Sequence, residues 1–138
     1  MILTLEKYLT SNGRHPEALE LWTGEFEKNA LKTISKVSQF ADLAKFEIKD
    51  ITSGWRYPNL NKKIGGSSQS KHLFAQAIDV SDSDKKFGLW MISNVSLLRE
   101  HGCAIESLVK THCSDEPMKR WLHLQTQIPN SGNIIFNP

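Results

Sequence analysis

The chain has 138 residues, 39% of them hydrophobic and 23% charged, a balance that fits a folded globular domain and argues against disorder. That length supports one packed domain over residues 1–138 and is too short for two of usual size. A net charge of +2, with no clustered basic face, argues against nucleic acid as a partner, and no apolar run approaches the roughly 18 residues of a membrane span.

The N-terminal run Met1-Ile2-Leu3-Thr4-Leu5-Glu6 lacks a basic region followed by an apolar core, so synthesis without a secretory signal and a cytoplasmic start are expected. Residues 3–8 read as a short helix stopped by the turn signal Asn12-Gly13. Arg14, just beyond, is a cation that folding could bring near a site, although a surface Arg is the simpler reading. Thr23 is placed to cap a helix running to about residue 43, because Phe26, Ala30, Ile34, Val37 and Ala41 recur at three and four residues and form one apolar stripe. Residues 46–51 alternate apolar and polar, which predicts a half-buried strand that delivers Arg56 into the loop beyond its end. Residues 57–69, rich in Pro, Asn, Gly and Ser, read as an extended loop. Ala77-Ile78-Asp79-Val80 reads as a short strand.

Residues 84–100 read as a second long helix, with Phe87, Met91, Val95 and Leu98 on one stripe and Gly102 near its stop. Ala104-Ile105 predicts a strand edge leading to Glu106, and Asp115 and Glu116 fall in a loop. Trp121-Leu122-His123-Leu124 reads as the last strand, with positions 121, 123 and 125 on one face. Trp55 and Trp90 are expected in the core. The order of elements predicts one small α+β domain, an antiparallel sheet with packed helices.

Two imidazoles and one carboxylate carry the chemistry: His72 after the run Gly65-Gly66-Ser67-Ser68-Gln69-Ser70, Asp79 on a strand, and His123 on another. Three N/O ligands leave the fourth tetrahedral position of a zinc ion to water, whereas structural zinc is usually closed by four protein ligands. The set therefore points to hydrolysis. Residue types alone do not single it out, because 5 His and 15 acidic residues offer many such pairs, and a buried His on a carbonyl beside a surface Asp fits them too. A rival set, His101, Cys103, His112 and Cys113, matches no zinc-finger spacing, so unpaired thiols are the plainer reading of the two Cys.

The ordered motifs Ser53-Gly54-Trp55-Arg56, Asn61, Gly65-Gly66, Ser70-Lys71-His72, Ala77, Asp79 and Trp121-Leu122-His123 resemble the zinc D,D-peptidase family across residues 52–126. That family includes D-alanyl-D-alanine carboxypeptidases and dipeptidases and phage endolysins that cut L-alanyl-D-glutamate bonds, and it is related in structure to the Hedgehog signalling domain. The run Pro129-Asn130-Ser131-Gly132, with Phe136 and Pro138, resembles the tails of phage-encoded members. The resemblance implies a Hedgehog-like fold and a zinc ion (Zn2+) held by His72, Asp79 and His123. It further implies that Arg56 contacts the scissile carbonyl or a substrate carboxylate in catalysis, and that Ser70 lies beside the substrate. The implied partner and substrate is the stem peptide of peptidoglycan, with the bond left open, and a monomer is expected. A pI near 8.6 suits an anionic wall polymer. Reaching the wall would require a carrier such as a phage pore, or a place in a virion.

Two positions depart from the family's pattern. Ala75 stands where members often have Gly, three residues after the first His. Arg120 stands where many members place the catalytic Glu or Asp, three residues before the last His, and a cation cannot take a proton from water. Glu106 is the preferred substitute as general base, since it follows the apolar pair Ala104-Ile105 and phage-like relatives carry an acid there; Asp115 and Glu116 come next. The alternative is a catalytically impaired, zinc-containing binding or virion-structural module that recognises wall peptides without cutting them. A third reading is a fold without zinc that serves only protein contacts.

Overall fold

In the computed structural model, which describes residues 2–11 and 19–138, two helices begin at threonines whose side chains cap them. Thr4 Oγ1 accepts from the Lys7 N–H (3.2 Å) and opens helix α1, Leu5–Leu9. Thr23 Oγ1 accepts from the Phe26 N–H (3.2 Å) and opens α2, Gly24–Ala44. The stripe expected on α2 is the buried one: Ala30, Ile34, Val37 and Ala41 lie in the core, with Phe26 partly covered. The Asn12-Gly13 turn and Arg14 lie outside the described residues.

Five strands form one sheet in the order β1-β2-β4-β3-β5, with β1 Ile51–Ser53, β2 Ala77–Ser81, β3 Ala104–Glu106, β4 Trp121–Gln125 and β5 Ile135–Phe136. The first four pair antiparallel, as expected, while β5 runs parallel to β3 and makes the sheet mixed. Alternation along the strands sorts the two faces. Ile78, Val80, Leu122, Leu124 and Ile105 are fully buried with α2 in the core, each contributing roughly 2–3 kcal/mol by its burial. The other face carries Asp79 and His123.

Three elements differ from the sequence reading, each for a local reason. Residues 46–50 alternate in exposure, but the ladder begins only at Ile51: the Phe46 N–H is bound to the Ala41 carbonyl at the end of α2 (2.9 Å), and its ring stacks on Phe87 (ring centroids 4.5 Å apart). The stretch 57–69 is not all loop: Pro58 at the first turn starts a short helix α3, Pro58–Lys63. The long helix over 84–100 is two, α4 Lys86–Ile92 and α5 Val95–Glu100. Ser93 Oγ donates to the Leu89 carbonyl (3.2 Å) and Asn94 Nδ2 to the Trp90 carbonyl (2.8 Å), the competition with main-chain bonds that disfavours both residues inside helices. The stripe largely survives the break, with Phe87, Met91 and Leu98 buried and Val95 half-buried against the core. Among the described residues no helix is long and apolar enough to cross a membrane.

A buried carboxylate locks β2 to α4. Asp82 accepts from the Phe87 and Gly88 N–H groups (3.1 and 2.7 Å) and from His112 Nε2 (2.7 Å), just after α6, Leu108–Thr111. Burial opposes the charge of Asp82, yet the His112 bond and the two main-chain donors hold its carboxyl below the usual range. Asp82→Asn is expected to destabilise the fold by about 2–3 kcal/mol at pH 7 by weakening charge-assisted bonds. A depressed folded pKa gives stability that is present above the unfolded value of ~3.9 and lost as pH falls through the folded one. The gap between parent and variant in urea unfolding should therefore close in acid; a gap unchanged from pH 7 to the acid limb would refute this account.

Candidate metal centre

Asp79 and His123 meet because they are directly paired across the ladder. In the β2–β4 register Asp79 opposes His123, so both side chains leave the same face, and His123 Nδ1 lies 2.8 Å from Asp79 Oδ1. His72 arrives from outside the sheet. It sits in a 3-10 turn, Lys71–Phe74, whose N-cap Ser70 accepts from the His72 N–H (3.3 Å), and its Nε2 reaches the same Asp79 Oδ1 at 3.2 Å. The turn ends at Ala75 in a left-handed conformation (φ 57), which explains why a Gly suits that position: a Cβ there costs roughly 1–2 kcal/mol.

Gly54 is the backbone pivot that aims His72. Its carbonyl accepts from His72 Nδ1 (2.8 Å), its N–H donates to Ser11 Oγ (3.0 Å), and a Cβ on it would stand 2.1 Å from the Tyr8 carbonyl oxygen. No larger residue fits there. Tyr8 in turn donates its hydroxyl to the Ala77 carbonyl (2.7 Å) at the start of β2, and burial pushes its phenol well up, with the charge of Asp79 adding to the effect.

The chemistry of the donors fits a metal ion. The Gly54 carbonyl can only accept, so His72 Nδ1 carries the hydrogen and Nε2 presents a lone pair to the cluster. Burial, opposed by the charge of Asp79, holds His72 toward its neutral form. A neutral imidazole lone pair facing a carboxylate oxygen calls for a cation between them. Asp79 is kept ionised against its burial by His72 and His123. Burial disfavours the charged form of His123, but its bond to Asp79 outweighs this and raises its pKa; a metal would take the place of that Nδ1 proton. One donor atom from each of the three residues lies within 4.8 Å of the others, and all three side chains are buried.

The cluster lies in a cleft of about 610 Å³, lined also by Arg56, Ser70, Glu106 and Gln125. Arg56, beyond the end of β1, donates from Nε to Ser53 Oγ (3.0 Å), from Nη1 to Asn61 Oδ1 (3.3 Å) and from Nη2 to Asp79 Oδ2 (3.5 Å). Gly66 allows this packing, since a Cβ there would fall 2.1 Å from Asn61 Oδ1. Glu106, the last residue of β3, turns Oε2 toward His123 Nδ1 at 3.9 Å while Lys110 Nζ approaches Oε1 at 3.4 Å. Glu106 is 8% exposed and inside the cleft.

The other acids do not join it. Asp115 and Glu116 are exposed, and Glu116 pairs with Lys119 (3.1 Å). Arg120 is occupied elsewhere: Nε donates to the Ser114 carbonyl (2.9 Å) and Nη1 to the Ser83 carbonyl (2.7 Å), so it ties two loops together outside the cleft lining. The rival His/Cys set does not assemble among the described residues. His112 is bound to Asp82, His101 Nδ1 is 2.9 Å from Lys36 Nζ, Cys103 is buried with its thiol pushed up to about 11, and Cys113 is exposed. Gln125 escaped the sequence reading. Its place on the His123 face of β4 was the available signal.

A small mixed-sheet α+β fold thus carries a buried His/Asp/His cluster that could hold a metal ion. The family model described as Peptidase M15 matches residues 7–114, and the chain belongs to that family, whose members are zinc-dependent metallopeptidases. No curated protein matches the chain. The matched segment holds Arg56, His72, Asp79 and Glu106 and ends before His123, which β4 pairing brings to the cluster.

Proposed function

We propose that this M15 protein hydrolyses peptide bonds in peptidoglycan stem peptides, as a D,D-carboxypeptidase or an L-alanyl-D-glutamate endopeptidase, with zinc held by His72, Asp79 and His123. The observation that carries the reading is the convergence of these three donors with the Glu106 carboxylate in one cleft. When bound, zinc supplies Lewis acidity that polarises a carbonyl and acidifies water. Glu106 takes the proton from the attacking water at Oε2 and returns it to the leaving amine. Arg56 directs its guanidinium at the developing oxyanion or a substrate carboxylate, and Ser70 lines the approach. The impaired-module alternative drew its support from Arg120; with that side chain tied to two main-chain carbonyls and a carboxylate supplied from β3, the hydrolytic reading is favoured.

Digestion of purified muropeptides by zinc-loaded protein, with products weighed by mass spectrometry, tests the reading and identifies the bond. Absence of any cleavage at full zinc occupancy would overturn it. Arg56→Lys is expected to keep its metal and lose roughly 100-fold or more in turnover, because an ammonium cannot reproduce the planar fork of donors. Near-normal turnover in that variant would remove Arg56 from the mechanism.

A further inference from the structure

Gln125 is a buried amide, 4% exposed, on the same face of β4 as His123, and nothing in the mechanism above uses it. Its two ends are not interchangeable. Gln125 Nε2 donates to the Gln127 carbonyl (2.7 Å), and since that carbonyl can only accept, the amide oxygen is the end that must face His123. Gln125 Oε1 lies 3.0 Å from His123 Nε2. An imidazole nitrogen that faces an acceptor carries the hydrogen, so this contact is Nε2–H donating to Oε1.

The consequence falls on the opposite nitrogen. His123 Nδ1 is the atom turned toward Asp79 Oδ1 (2.8 Å) and Glu106 Oε2 (3.9 Å), and it is the one able to ligate a metal there. Asp79 by itself favours a hydrogen on Nδ1, which would cover the lone pair. Gln125 favours the hydrogen on the far nitrogen. We propose that Gln125 is a positioning residue that fixes His123 as the Nε2–H tautomer and so aims the Nδ1 lone pair into the cluster, with the Gln127 carbonyl setting the direction of the relay. The inference rests on the zinc reading given under Proposed function. Partners of this kind behind a metal-bound His typically contribute about 10- to 100-fold in metal affinity.

Zinc affinity of the full chain, measured by competition with a chromophoric chelator, separates this role from mere packing. Gln125→Met fills the same space without an acceptor and is expected to bind zinc about 10- to 100-fold more weakly. Gln125→Glu keeps the acceptor toward His123 but has no hydrogen for the Gln127 carbonyl, so its thermal midpoint should fall while its zinc affinity stays at or above that of the parent. A packing role predicts the reverse order, with Glu the worse of the two. Long-range proton–nitrogen spectra of the zinc-loaded parent should show the His123 hydrogen on Nε2. The inference is overturned if the Met variant binds zinc as tightly as the parent, if Glu is as weak as Met, or if the hydrogen is on Nδ1. A parent chain that binds no zinc refutes the zinc reading itself, and this inference with it.

Discussion

Glu106→Gln is expected to bind zinc as the parent does and to lose roughly 100- to 10,000-fold in turnover, the usual contribution of a positioned acid–base group. The substitution keeps the shape of the side chain, removes its ability to accept and return a proton, and neutralises the partner of the exposed Lys110 ammonium. Geometry favours this residue over every other acid between β3 and β4: Glu106 is 8% exposed in the cleft with Oε2 3.9 Å from His123 Nδ1, whereas Asp115 and Glu116 stand exposed. Asp115→Asn and Glu116→Gln should therefore stay active. Single-turnover assays on a muropeptide, with zinc content measured on the same preparations, decide between them. A dead loop variant beside a fully active Glu106→Gln would transfer the role of base to the loop.

His72→Ala combined with His123→Ala should abolish stoichiometric zinc binding and, with it, hydrolysis to the level of a protein-free control. Each imidazole spends one nitrogen on a protein acceptor, His72 Nδ1 on the Gly54 carbonyl and His123 Nε2 on Gln125 Oε1, and turns the other toward Asp79. Removing both leaves one carboxylate, which cannot hold zinc as a three-ligand site does. Elemental analysis after dialysis against a chelator gives the answer. Zinc retained at one ion per chain in the double variant would place the metal somewhere else.

Much of the site was legible in the chain because its residues sit on elements with strong local signals. The β-branched neighbours of Asp79 and the apolar frame of His123 mark strands, and Thr23 is a short polar residue placed directly before the helix that it caps. The α+β class and the buried stripe of α2 followed from periodicity. Periodicity failed where side chains compete for main-chain groups: Ser93 and Asn94 divide one apolar stripe between α4 and α5, leaving Phe87, Met91 and Leu98 buried and Val95 half-buried. It also failed at residues 46–50, where one-sided burial imitates the alternation of a strand.

By itself the sequence determined which residue types were available to hold a metal, and the order in which strands and helices present them. Register and turn geometry, which depend on pairings far apart in the chain, decided the rest. The β2–β4 ladder sets Asp79 opposite His123, and the β3–β4 pairing brings Glu106 within reach of the same imidazole. Arg120 looked from its position in the chain like a cation in the place of the base. Only the tertiary structure turns it to the Ser83 and Ser114 carbonyls, because it lies just before β4, where the loops after β2 and α6 offer acceptors that its five N–H donors can satisfy.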